Sequence, residues 1–268
     1  MFDTLLHKFL RIPYPLHVYT VRKPKKSRAT VLFLHGIGNS GAAWDKVVEG
    51  IPKDVTVIAV DLLGFGQSPK PGWPEYNVRL QARSVFATLI KLNIRRRLII
   101  VGHSMGALVA VEIAKRYPLL VKSLVLCSPP FYDDQEVRPF LPRRDRTLKR
   151  LYRLAQKHPS KFTTIAAFAV KYKLVEGTFN VTADNVSTYM AALEASIINQ
   201  TSLEDAKNLR KPMYIVHGAL DPVVIKKNLD AVVAANKKAK LTVIMAGHQM
   251  MGRYVPAVVK KIKETLPH

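Results

Sequence analysis

Six short runs of continuously apolar, largely β-branched residues constrain the fold of this chain more than any other feature. They are TVLFL (30–34), VTVIAV (55–60), LIIV (98–101), SLVL (123–126), MYIVH (213–217) and LTVIM (241–245). A strand with one wet face alternates apolar with polar residues. A run that is apolar throughout must be covered on both faces, as in a parallel sheet. Parallel neighbours need crossovers, and helical patterns lie between several of the runs. NVRLQARSVFATLIKL (77–92) has Asn77 as a candidate cap, and ALVAVEIAKRY (107–117) stops before Pro118. An earlier stretch, LHVYTVR, reads as a further strand. The pattern predicts an α/β fold, with a mostly parallel central sheet covered by helices.

The rhythm fails once. Between Leu126 and Met213 helical patterns continue but no core strand can be picked out. Pro129, Pro130, Pro139 and Pro142 crowd the entrance of this interval, and Pro212 closes it. The expectation is a core formed by 1–128 and 210–268, with a helical cap or lid inserted over 129–209. Phe162, Ile165, Phe168 and Met190 are candidates for the inner face of that cap.

Charge and cysteine usage narrow the function classes. Lys and Arg number 42 against 19 Asp and Glu, a net charge of +23. The densest basic stretch runs from Arg138 to His158, with Asp145 its only acid, and reads as a solvated outer face of the cap. Such a face can attract acidic substrates or associate weakly with an anionic membrane surface. No nucleic-acid-binding motif accompanies it, so a nucleic-acid partner is not expected. Cys127, the one cysteine, rules out an internal disulfide and a Cys-based zinc site, and it reads as a small core residue.

No run has the length of a membrane span, and MFDTLLHKFLRI is broken by Asp3, His7, Lys8 and Arg11, unlike a signal peptide. Within it Phe2, Leu5, Leu6, Phe9 and Leu10 fall at helical spacing. The expectation is a helix packed on its own domain, with a weak interfacial anchor as the alternative, in a cytoplasmic protein at most peripheral to a membrane.

Two glycine-rich turns follow strand-like runs. The first, GIGNSG, places glycines at 36, 38 and 41 after 30–34, with Asp61 ending the next run. This fits a dinucleotide-binding loop, and the loop alone does not decide its purpose. The second, Gly102-His103-Ser104-Met105-Gly106, lies between the 98–101 run and a helical pattern. That is the context a G-x-S-x-G nucleophile elbow requires: a serine on a sharp turn, flanked by glycines where strand and helix nearly collide.

On these residues the chain resembles the α/β-hydrolase family, through nearly all of its length outside the cap. The family's order of nucleophile, acid and histidine is matched by Ser104, by Asp221 in MYIVHGALDPVV and by His248 in LTVIMAGHQM. Taken singly, an Asp before Pro is a common turn former and a His after a strand a common structural residue. The resemblance implies that His248 takes the Ser104 proton and that Asp221 orients the imidazole. Asp133 and Asp134 are fallback acids, because some family members take their acid after that earlier strand. The family's H-G-x-x loop after its third strand is matched by His35-Gly36-Ile37-Gly38. This implies that the Ile37 and Met105 amides bind an oxyanion, and it answers the question of the first loop. His35, Gly36, Gly38, Gly102, His103 and Gly106 would support the site, and Asp61 in DLLGFGQS would be a structural turn. No metal-ligand spacing is present, and no metal or cofactor is expected.

Because the nucleophile position holds a serine, the expected reaction is hydrolysis of a small-molecule carboxylic ester through an acyl-enzyme. The same constellation serves acyltransferases, thioesterases, C–C bond hydrolases and cofactor-free haloperoxidases. A hydrolase-like receptor or scaffold is the non-enzyme alternative.

Overall fold

The computed structural model describes residues 5–94, 97–132, 186–198 and 200–267. In chain order the elements are β1 (Val18–Arg22), β2 (Ala29–Leu34), α1 (Asp45–Glu49), β3 (Val55–Val60), α2 (Val78–Lys91), β4 (Leu98–His103) and α3 (Met105–Arg116). There follow β5 (Val121–Cys127), α4 (Val186–Ala192), α5 (Ser202–Asn208), β6 (Met213–Gly218), α6 (Lys226–Ala235), β7 (Ala239–Ile244) and α7 (Tyr254–Thr265).

The seven strands form one sheet in the order β1-β3-β2-β4-β5-β6-β7. β1 is antiparallel to β3, and every other pairing is parallel. Each residue of β2, β3 and β4 is buried, which is why their sequences are apolar without alternation. Successive side chains still point to opposite faces and so divide into two cores. Leu32, Leu34, Ile58 and Ile100 pack with α2, α3, α5 and α6 on one side. Val31, Phe33, Val57 and Ile99 pack with α1 and α7 on the other. Asn77 caps α2, its side chain accepting from the Leu80 amide at 3.0 Å.

Three expectations meet this architecture differently. Cys127 is fully buried at the end of β5, and burial pushes its thiol pKa up. Of the N-terminal stripe, Phe2 lies outside the described residues. Leu5–Phe9 is a five-residue π-helical turn without a buried residue, and Leu5, Phe9 and Leu10 are exposed. Pro13 and Pro15 follow within a few residues and limit extension of this turn on its C-terminal side. Of the cap interval, 133–185 lies outside the described residues, and with it Asp133, Asp134, the Arg138–His158 stretch, Phe162, Ile165 and Phe168. Met190 is buried, and Leu203 and Ala206 of α5 join the same core as α3.

Candidate active site

Parallel strands deliver their C-terminal ends to one edge of the sheet, and the residues singled out from sequence follow those ends. Ser104 comes directly after β4 and caps α3 with φ 51° and ψ −120°, in the left-handed half of backbone space. This strain holds because the turn is pinned: the Ser104 amide donates to the Cys127 carbonyl at 2.9 Å, continuing the ladder past β4. A Cβ on Gly102 would stand 2.4 Å from the Gly106 carbonyl oxygen, and one on Gly106 would stand 2.2 Å from that of Leu34. Only hydrogen fits at either position.

His248 lies in the turn after β7 and Asp221 in the turn after β6. Their loops are laced together, the Leu220 amide donating to the Ala246 carbonyl at 3.0 Å. His248 Nε2 is 3.1 Å from Ser104 Oγ, and its Nδ1 is 2.8 Å from Asp221 Oδ2. The carboxylate can only accept, so Nδ1 carries the proton and Nε2 presents its lone pair to the serine hydroxyl. The other oxygen, Asp221 Oδ1, accepts from the amides of Val223 at 2.8 Å and Val224 at 3.2 Å. Burial alone would raise the Asp221 pKa. The His248 hydrogen bond and charge, the Ser128 hydroxyl and the Val223 amide outweigh it and hold the group at about 2.

The loop after β2, the third strand in the family's counting and the second here, runs beside the elbow. A Cβ on Gly36 would sit 3.3 Å from Ser104 Cβ. His35 is buried, and its Nε2 accepts from the Leu62 amide at 2.8 Å, so its Nδ1 donates to the Gly36 carbonyl at 2.7 Å. Burial lowers its pKa to about 4, and it is a neutral brace between two loops. Gly38 turns the loop at φ 74°. Met105 is the first residue of α3, so its amide lies ahead of the first intrahelical bond. His103 Nε2 donates to the His248 carbonyl at 2.8 Å, and its pKa falls to about 3, first through burial and then through the neighbouring His248. Asp61 accepts from the Gly41 amide at 2.7 Å, the Gln67 amide at 2.8 Å and His17 Nδ1 at 2.9 Å. It ties the first glycine loop to the turn after β3.

A family profile described as the alpha/beta hydrolase fold matches residues 29–251. The chain belongs to the α/β-hydrolase fold family. This α/β-hydrolase chain is 35% identical over 113 residues to a probable lysophospholipase, BODYGUARD 2, of Arabidopsis thaliana. The match covers 40% of this chain and 24% of that protein, so it spans about a quarter of the relative's length. Among solved structures, a probable hydrolytic enzyme from Pseudomonas aeruginosa PAO1 superposes with a TM-score of 0.73 over 95% of each chain at 22% identity. A thermophilic esterase from Thermogutta terrifontis superposes with a TM-score of 0.66, covering 90% of this chain and 92% of that one at 21% identity. At these identities the likeness is one of fold.

Two residues of the α/β-hydrolase site were not marked by sequence. Ser128, just past β5 at φ 45°, helps lower the Asp221 pKa and lies 2.9 Å from Tyr254 Oη. Tyr254 Oη also reaches the Val216 carbonyl at 2.6 Å. Tyr254 donates to the Val216 carbonyl, which leaves its oxygen able to accept from the Ser128 hydroxyl. Ser128 and Tyr254 are 126 positions apart, and no local pattern joins them. Among the described residues no group of three or more His, Cys, Asp or Glu could hold a metal ion, and no helix is long and apolar enough to cross a membrane.

Proposed function

We propose that the protein is a serine hydrolase that cleaves carboxylic esters of small molecules by way of an acyl-enzyme. The observation that carries this reading is the unbroken chain Asp221–His248–Ser104, with its proton positions fixed by what each partner can donate or accept. In the proposed cycle Ser104 Oγ attacks the ester carbonyl carbon as its proton passes to His248 Nε2. Asp221 stabilises the imidazolium, and the Ile37 and Met105 amides receive the oxyanion. His248 then protonates the departing alkoxide, and a water molecule, activated by the same nitrogen, releases the acid. The cap over 129–209 is proposed to line the acyl side of the site and set chain-length preference. The lysophospholipase named among the relatives supports including acyl glycerophosphate esters among the first substrates tried.

Labelling by a fluorophosphonate, followed by multiple-turnover assays across ester chain lengths, tests the reading. Wild-type protein should label once and turn over, whereas folded Ser104→Ala should do neither. Appreciable ester hydrolysis by Ser104→Ala would overturn the assignment. Labelling without turnover would mark a receptor that retains the site.

A further inference from the structure

Part of the excess positive charge among the described residues has a location. Every β-strand except β1 runs in one direction, so the turns that precede these strands share the edge of the sheet opposite Ser104. Those turns are basic: Lys25 and Lys26 precede β2, Lys53 precedes β3, Arg97 precedes β4, Lys211 precedes β6 and Lys237 precedes β7. All but the half-buried Lys211 are exposed.

Cross-contacts join these turns into one face. The Arg28 amide donates to the Asp54 carbonyl at 3.1 Å, Arg28 Nη1 donates to the Pro267 carbonyl at 2.8 Å, and Lys238 Nζ donates to the Arg210 carbonyl at 3.3 Å. Asp54 is already neutralised by Arg28 at 2.9 Å. Some neighbouring cations are absorbed by helix C-termini, as where Lys23 Nζ donates to the Leu92 carbonyl at 3.0 Å. The six cations named above take part in no such bond among the described residues. Six parallel strands at about 4.8 Å spacing make this a row about 24 Å long. In its midst, in the turn before β5, Leu119 is 88% exposed.

We propose that this face docks the protein on an anionic lipid bilayer, the cations meeting headgroup phosphates and Leu119 entering the interface. A cationic field alone would suit any polyanion. The apolar side chain raised at its centre favours lipid, because burying it in a bilayer is favourable and no base edge or phosphate offers it a partner. The face lies at the start of β4 and Ser104 at its end, about 20 Å apart for a six-residue strand. Docking therefore leaves Ser104 at the edge of the sheet turned away from the bilayer.

Flotation with vesicles of phosphatidylcholine, with and without phosphatidylserine, tests this. Binding should need the anionic lipid and weaken as salt rises. Lys25→Glu, Lys26→Glu, Arg97→Glu and Lys237→Glu together should weaken it more than tenfold. Lys46→Glu, Lys70→Glu, Arg79→Glu and Arg253→Glu, which remove equal charge from the site side, should change it less than threefold. Leu119→Ser should weaken vesicle binding severalfold while leaving retention on an RNA duplex unchanged. Equal losses in the two fourfold variants, an inert Leu119→Ser, or duplex binding tighter than vesicle binding would each overturn the proposal. Circular dichroism confirms folding, and the binding readout is independent of whether the protein hydrolyses esters.

Discussion

Asp221 carries a full charge in a buried place, and that charge depends on its donors. With the carboxyl held at about 2 in the folded chain against an ordinary 3.8, ionisation favours the folded state. The contribution is complete above the ordinary value and is lost as pH falls through the interval down to about 2. The melting temperature of the wild type should therefore fall more steeply between pH 4 and pH 2 than that of Asp221→Asn. Parallel decline would mean that the carboxylate does not titrate there. Ser128→Ala removes one of the groups that lower the Asp221 pKa, so the loss should begin at higher pH. It should also lower kcat roughly tenfold with KM little changed, since Asp221 orients His248 in the proposed cycle. Tyr254→Phe, one bond further from the carboxylate, should do less. A Ser128→Ala enzyme with wild-type kcat would leave the serine no role in positioning Asp221.

The elbow shows how an element's sequence serves a neighbour rather than itself. Glycine is a poor choice for the end of a strand or the first turn of a helix, yet Gly102 and Gly106 stand there because backbone fills the space a Cβ would need. Gly106→Ala should destabilise the protein by about 3 kcal/mol in urea denaturation, at the upper end of the usual cost of overpacking. Asn77→Ala, which only uncaps α2, should cost about 1 kcal/mol. Wild-type stability for Gly106→Ala would show that strand and helix approach less closely than described. This contrast marks what was legible in the sequence. All six apolar runs coincide with strands: in the central ones burial on both faces writes itself into nearly every residue, whereas β7, at the sheet edge, is apolar though only partly buried. The capped α2 and the elbow carry local signals too. Over its described part the N-terminal stripe is exposed, because periodicity gives a face but says nothing of what covers it. Ser128 and Tyr254 carry no local signal, since their meeting is made by the packing of α7 beneath β5 and β6.

At the scale of the molecule, the Ser104 site and a row of exposed cations stand at opposite edges of one sheet. The order Ser104, Asp221, His248 was readable along the chain, but the row of cations was not, because single basic residues in separate turns carry no local pattern. With 42 basic residues against 19 acidic ones, repulsion among like charges is spread over the surface. The exposed ion pairs, such as Lys226–Asp230 and Lys261–Glu264, each contribute about 0–1 kcal/mol. Salt screens both effects, but the repulsive excess is the larger and is relieved by unfolding. The melting temperature should therefore rise as sodium chloride increases from 20 to 500 mM, whereas a protein held chiefly by ion pairs would lose stability. Part of the repulsion lies in the row ahead of the strands, so the variant reversed at Lys25, Lys26, Arg97 and Lys237 should melt higher at low salt and gain less from added salt. A melting temperature that falls with salt, or an equal salt gain in that variant, would mean that the surface charge is already balanced locally and that the row exerts no collective field.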